Sequence, residues 1–75
     1  MPLRPLTSRQ VDFRLRAAGF VRAAAHGSHV KYVRERAGET RVVIVPRHRE
    51  VAVGTLRSIV RQAGLTVAEF ERLVP

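Results

Sequence analysis

The chain of 75 residues has no cysteine and no tryptophan, and only six acidic side chains stand against 14 lysines and arginines. Without cysteine there is no disulfide scaffold, no thiol nucleophile and no zinc site built on thiolates. Only metal sites made of histidine and carboxylate remain open, and no resident metal or cofactor is expected. A reducing compartment fits this composition. No apolar stretch approaches the ~18 residues that cross a bilayer. The opening Met1-Pro2-Leu3-Arg4-Pro5-Leu6 also lacks a continuous hydrophobic signal core. The expected location is therefore the cytoplasm, with no membrane partner. The shortness of the chain excludes a two-domain enzyme. Below about 80 residues a single core supplies only ~3–5 kcal/mol, which leaves little chain for lids or a deep small-molecule cleft. A Gly-rich phosphate loop, a His-Glu-x-x-His pair and a Ser-centred elbow are all missing.

What is present is positive charge, a net +8 at neutral pH. Self-repulsion of that size is relieved by an acidic polymer or an acidic protein, and nucleic acid is the first partner to consider. The 45% hydrophobic content falls into periodic segments, which argues for a folded domain rather than a charged disordered one. One domain over residues 1–75 is expected, with residues 1–6 as a flexible lead-in.

Thr7-Ser8-Arg9-Gln10 has capping-box spacing and predicts a helix from there to about Ala18, burying Val11, Leu15 and Ala18 and ending at Gly19. Phe20 to Ala24 reads as a first strand, followed by His26-Gly27-Ser28 as punctuation. A second strand is predicted over His29 to Arg36. Ala37-Gly38-Glu39 supplies a hairpin turn, and Thr40 to Val45 is a β-branched third strand that Pro46 stops. After a basic loop over residues 46–54, Thr55 to Ala63 predicts a second long helix with Leu56, Ile59, Val60 and Ala63 on its core face. Arg57 and Arg61 lie on another face. Thr66-Val67-Ala68-Glu69 starts a short final helix carrying Phe70, Leu73 and Val74. The order α-β-β-β-α predicts an α+β fold, a three-stranded antiparallel sheet with the two main helices on one face and the other face open.

Three histidines, His26, His29 and His48, are the neutral-pH acid–base groups, and His26 and His29 bracket Gly27-Ser28. Their chemistry sharpens if the ligand is RNA, which carries its own nucleophile in the 2′-hydroxyl beside each phosphate. One histidine that moves a proton and a few cations that stabilise charge on phosphorus then suffice for cleavage without a metal.

Gly27-Ser28-His29 followed by Tyr32, Pro46-Arg47-His48 after a valine-rich strand, and the block Gly54-Thr55-Leu56-Arg57-Ser58-Ile59-Val60-Arg61-Gln62-Ala63-Gly64-Leu65 closely resemble the HicA (YcfA-like) family of bacterial toxins. The resemblance implies a double-stranded-RNA-binding-domain-like fold and an mRNA interferase, a toxin that cuts messenger RNA and is silenced by a HicB-type antitoxin. It identifies His29 as the catalytic histidine and Gly27 as a supporting position. Where many members carry basic or polar residues before that glycine, this chain has Ala23-Ala24-Ala25-His26. The free toxin is expected to be a monomer that enters a larger assembly with its antitoxin.

Around His29, the expected supporting groups are Gly27, Ser28, Lys31 and His48. Lys31 lies two residues from His29 and so on the same strand face. Tyr32 falls on the opposite face, as a core residue. Lys31, Arg34, Arg47, Arg49, Arg57 and Arg61 are the candidate RNA contacts. Two other functions fit parts of the sequence. A noncatalytic RNA-binding module would share fold and charge. A helix-turn-helix DNA-binding regulator is imitated by Thr55 to Val74, although its second helix carries two acids and one base, which suits phosphates poorly.

Overall fold

A computed structural model describes residues 3–74. Helix α1 spans Ser8–Ala17, followed by strands β1 (Val21–His26), β2 (His29–Arg36) and β3 (Glu39–Pro46), and then by α2 (Val53–Ala63) and α3 (Val67–Arg72). The strands form one antiparallel sheet in the order β1-β2-β3. This is the α+β order that the periodicity predicts and the double-stranded-RNA-binding-domain-like arrangement that the resemblance implies, closed by a short C-terminal helix.

Helix α1 begins where the capping box places it: Gln10 N donates to Thr7 Oγ1 at 3.1 Å, and Thr7 N donates to Gln10 Oε1 at 2.9 Å. Val11 and Leu15 are fully buried, whereas Phe13 points outward at 44% exposure. The alternation Val11, Phe13, Leu15 is thus resolved by helical period rather than strand period. At the end of the helix Gly19 takes φ +95°, and Phe20 N donates back to Leu15 O at 2.9 Å.

In β2, Val30 and Tyr32 are buried while His29 and Lys31 are exposed, and β3 buries Val43 and Val45. These inward side chains meet Leu56, Ile59, Val60 and Ala63 of α2, the core face expected from spacing, together with Phe20 and Phe70. Strand β1 contributes no core residue and is exposed along its length. It also runs two residues further than expected, to His26, past an irregularity in register between Arg22 and Ala24. Helix α2 starts at Val53 instead of Thr55, with Ala52 as an extended N-cap that has no side-chain bond. The outer edge of β3 is partly covered: Ile44 N donates to Gln62 Oε1 at 2.9 Å, and Pro46 sits at the end of this edge strand, where a missing N–H costs nothing.

The lead-in departs from expectation. Leu3 is buried, and Leu6 pairs with Val51 in both directions, Leu6 N to Val51 O at 3.2 Å and Val51 N to Leu6 O at 2.6 Å. Proline bars this segment from a helix but not from an extended path, so its two leucines cover core that the helices leave open. Met1 and Pro2, the rest of that expectation, lie outside the described residues. The final helix carries a second capping box, Thr66 with Glu69, and its Phe70 is fully buried. Among the described residues no helix is long and apolar enough to cross a membrane.

Candidate active site

The site begins with a turn. Extension of β1 to His26 leaves only Gly27 and Ser28 between the strands, a two-residue hairpin loop with Gly27 at φ +60°. A Cβ on Gly27 would meet nothing within 4 Å, so its glycine character serves the left-handed backbone, and the space above the turn is open. In this register His26 and His29 are direct cross-strand partners. Residues paired in this way project from the same face of the sheet, so the two imidazoles stand side by side.

On its other side His29 is paired with Pro46 of β3, and Arg47 N donates to Ser28 O at 2.5 Å. This bond ties the hairpin tip to the β3–α2 loop, which carries the exposed Arg47, His48 and Arg49. One end of the sheet therefore gathers His26, His29, Ser28 and this basic loop. Lys31, exposed and on the same face as His29, adds a cation along the strand. His26 was not among the expected supporting groups, because a first strand that ends at Ala24 leaves it in a loop. The motif His-Gly-Ser-His carries the signal: a two-residue turn between two histidines makes them partners.

The remaining arginines divide. Arg34 lies on the helix-covered face, its guanidinium 4.8 Å over the ring of Phe20, and its Nη1 donates to Ala18 O at 3.1 Å. Burial pushes its pKa down from the ordinary arginine value. Arg34 packs the end of α1 against β2 and does not face His29. Arg57 and Arg61 are exposed on α2, whose opposite side faces the core, so they too are separate from the histidines.

Tyr32 has the core role expected from its parity. It is 3% exposed and its hydroxyl donates to Asp12 Oδ1 at 2.5 Å, while Asp12 Oδ2 accepts from Arg16 Nε at 2.9 Å. Burial first, and the neighbouring carboxylate second, raise the phenol pKa from 10.0 to about 12. A raised folded-state value means that the stability from the neutral phenol is complete below the unfolded value and lost as pH rises through the folded one. Chemical denaturation is accordingly expected to show a loss of stability between pH 10 and about 12 that Tyr32→Phe removes.

The open face also presents an apolar strip: Val21 at 61% exposure, Val42 at 40% and Ile44 at 41%, with Val33 between Val21 and Val42 in the register. Ile44 is the partner of Lys31, so the strip borders the cationic end of the sheet.

A family model described as HicA toxin of bacterial toxin-antitoxin matches residues 8–65, more than three-quarters of the sequence. The chain belongs to the HicA toxin family. No curated protein matches the chain. A HicA toxin is one half of a toxin–antitoxin pair, so its partner is an antitoxin. The matched span holds the hairpin, the basic loop and all of α2, and stops before α3. Phe70, beyond the span, is nonetheless part of this toxin's core.

Proposed function

We propose that this HicA-family toxin is an endoribonuclease that cleaves messenger RNA by metal-independent acid–base chemistry centred on His29. The observation that carries this reading is the meeting of His29 with His26, Lys31 and the Arg47-His48-Arg49 loop at one exposed end of the sheet. His29 takes the proton from the 2′-hydroxyl, whose oxygen attacks the adjacent phosphorus. The bond from phosphorus to the 5′ oxygen breaks, and a second imidazole returns a proton to that leaving group. His26, directly opposite His29 in the register, is the first candidate for this second role, and His48 is the other. Lys31 and Arg49 stabilise the added negative charge on phosphorus. Gly27 and Ser28 shape an open turn over which a phosphate can approach. DNA, lacking the 2′-hydroxyl, is spared.

The antitoxin of HicB type would occlude the same open face. An exposed apolar strip beside a cationic end suits a protein with an acidic rim, which would block the RNA path and offset the net +8. Such a complex weakens as salt rises. The free toxin acts as a monomer in the cytoplasm on this reading.

Purified toxin incubated in EDTA with a mixed-sequence RNA and a matched DNA tests the function. The expected result is cutting of RNA alone, with 2′,3′-cyclic phosphate and 5′-hydroxyl ends. RNA that is bound but left whole would identify a noncatalytic RNA-binding module instead.

A further inference from the structure

On the helix-covered side of the sheet, at the end where Ser28, Pro46 and Arg47 meet, lies a cavity of about 280 Å³ between the start of α1 and the β1–β2 ladder. Arg9 of α1, Arg22 of β1 and Arg47 of the β3–α2 loop stand at its walls. All three are exposed, and among the described residues none has a carboxylate partner. Three elements thus bring unpaired guanidiniums to one concavity, a repulsive arrangement that an anion relieves. The floor is different in kind. Val30, Val45 and Pro46 offer flat apolar surface beside the ring of Tyr32. Asp12 completes the wall, and its charge is already engaged by Arg16 and the Tyr32 hydroxyl. An ionised carboxylate has about four acceptor positions, so Asp12 keeps capacity to accept from a sugar hydroxyl or a base amine.

We infer that this cavity is a binding site for one nucleotide of a single-stranded RNA, its phosphate held by Arg9, Arg22 and Arg47 and its base or ribose laid on Val30, Val45 and Pro46. Planar guanidiniums bind phosphate bidentately, and the apolar floor fits a ring or sugar face better than a bare ion. The volume lies at the lower edge of the ~300–1,000 Å³ of small-molecule sites, which suits one nucleotide rather than two. A base paired in a duplex cannot enter such a concavity, so the site selects unpaired strands. The assignment of RNA as the source of this nucleotide rests on the ribonuclease reading above. His29 projects from the other face, but the cavity shares Pro46 and Arg47 with the end of the sheet that carries it. A strand rounding this end meets both, and the cavity then fixes which phosphate reaches the histidine.

The test uses His29→Ala protein, so that cleavage plays no part, titrated with each of the four nucleoside 5′-monophosphates and with inorganic phosphate while backbone amide shifts are followed by NMR. Shifts are expected at Tyr32, Val45 and Arg47, with at least one nucleotide binding more tightly than phosphate. Arg22→Ala and Arg47→Ala in the same background should each weaken that nucleotide by roughly tenfold or more, the loss of a charge-assisted contact, and Arg72→Ala on α3 should not. Equal binding by the Arg22→Ala and Arg47→Ala proteins, shifts confined to the open face, or phosphate binding as tightly as any nucleotide would each overturn the assignment. Should the wild type fail to cut RNA while nucleotides bind as described, the ribonuclease reading falls, and with it RNA as the source, while the cavity stands as a nucleotide site.

Discussion

Replacement of His29 by Ala is expected to lower RNA cleavage by ~10²–10⁴-fold, the usual worth of one positioned acid or base, without unfolding the toxin. The side chain is exposed at the first position of β2, so little stability depends on it. Circular dichroism and the denaturation midpoint should match the wild type. The comparison with His26→Ala and His48→Ala assigns the second proton. If His26 protonates the leaving oxygen, His26→Ala loses activity on linkages with the natural 5′ oxygen. It keeps activity on a substrate whose leaving group needs no proton, such as a 5′-thio linkage, whereas His29→Ala loses both. Full activity in His29→Ala would place the chemistry elsewhere and remove the basis of the mechanism.

Replacement of Phe70 by Ala is expected to unfold most of the population at 37 °C. Phe70 is fully buried in the core, and truncation of a buried phenylalanine costs ~3–5 kcal/mol, about the whole net stability of so small a domain. Its loss has a second effect through Arg14. That guanidinium lies 5.1 Å from the Phe70 ring, donates through Nη1 to Phe70 O at 3.0 Å and stands 3.6 Å from Glu71, while its buried Nε has no partner among the described residues. Without the ring, a nearly buried cation loses its main neighbour. Phe70→Leu, which keeps most of the volume, should cost much less. Urea titration followed by circular dichroism reads both variants. A small shift for Phe70→Ala would show that α3 docks loosely and that the core closes without it.

The parts of the fold that were legible in the sequence are those specified by neighbours along the chain. The two capping boxes, Thr7 with Gln10 and Thr66 with Glu69, fixed helix starts because each bond spans three residues. Parity along β2 separated His29 and Lys31 from Tyr32, since strand side chains alternate. Gly19 and Gly64 marked helix ends because each must take a positive φ, +95° and +73°. The valine-rich β3 and the apolar face of α2 were plain from period alone, and the resemblance to the HicA family rested on residues within the matched span.

What the sequence by itself determined, then, was the order of elements and the inward face of each, both consequences of short-range geometry, while the resemblance to the HicA family singled out His29 for the proposed chemistry. Pairing and docking were decided by the tertiary structure. Beyond the two-residue turn that pairs His26 with His29, a bulge near Ala23 shifts the register so that Arg22 lies opposite Tyr32, which no local preference announces. Only packing held Leu3 and Leu6 against the core and drew Arg34 onto Phe20, away from the histidines, since burial of apolar surface depends on what the rest of the fold leaves uncovered. The convergence of Arg9, Arg22 and Arg47, residues far apart in the chain, exists only once helix, strand and loop are folded together.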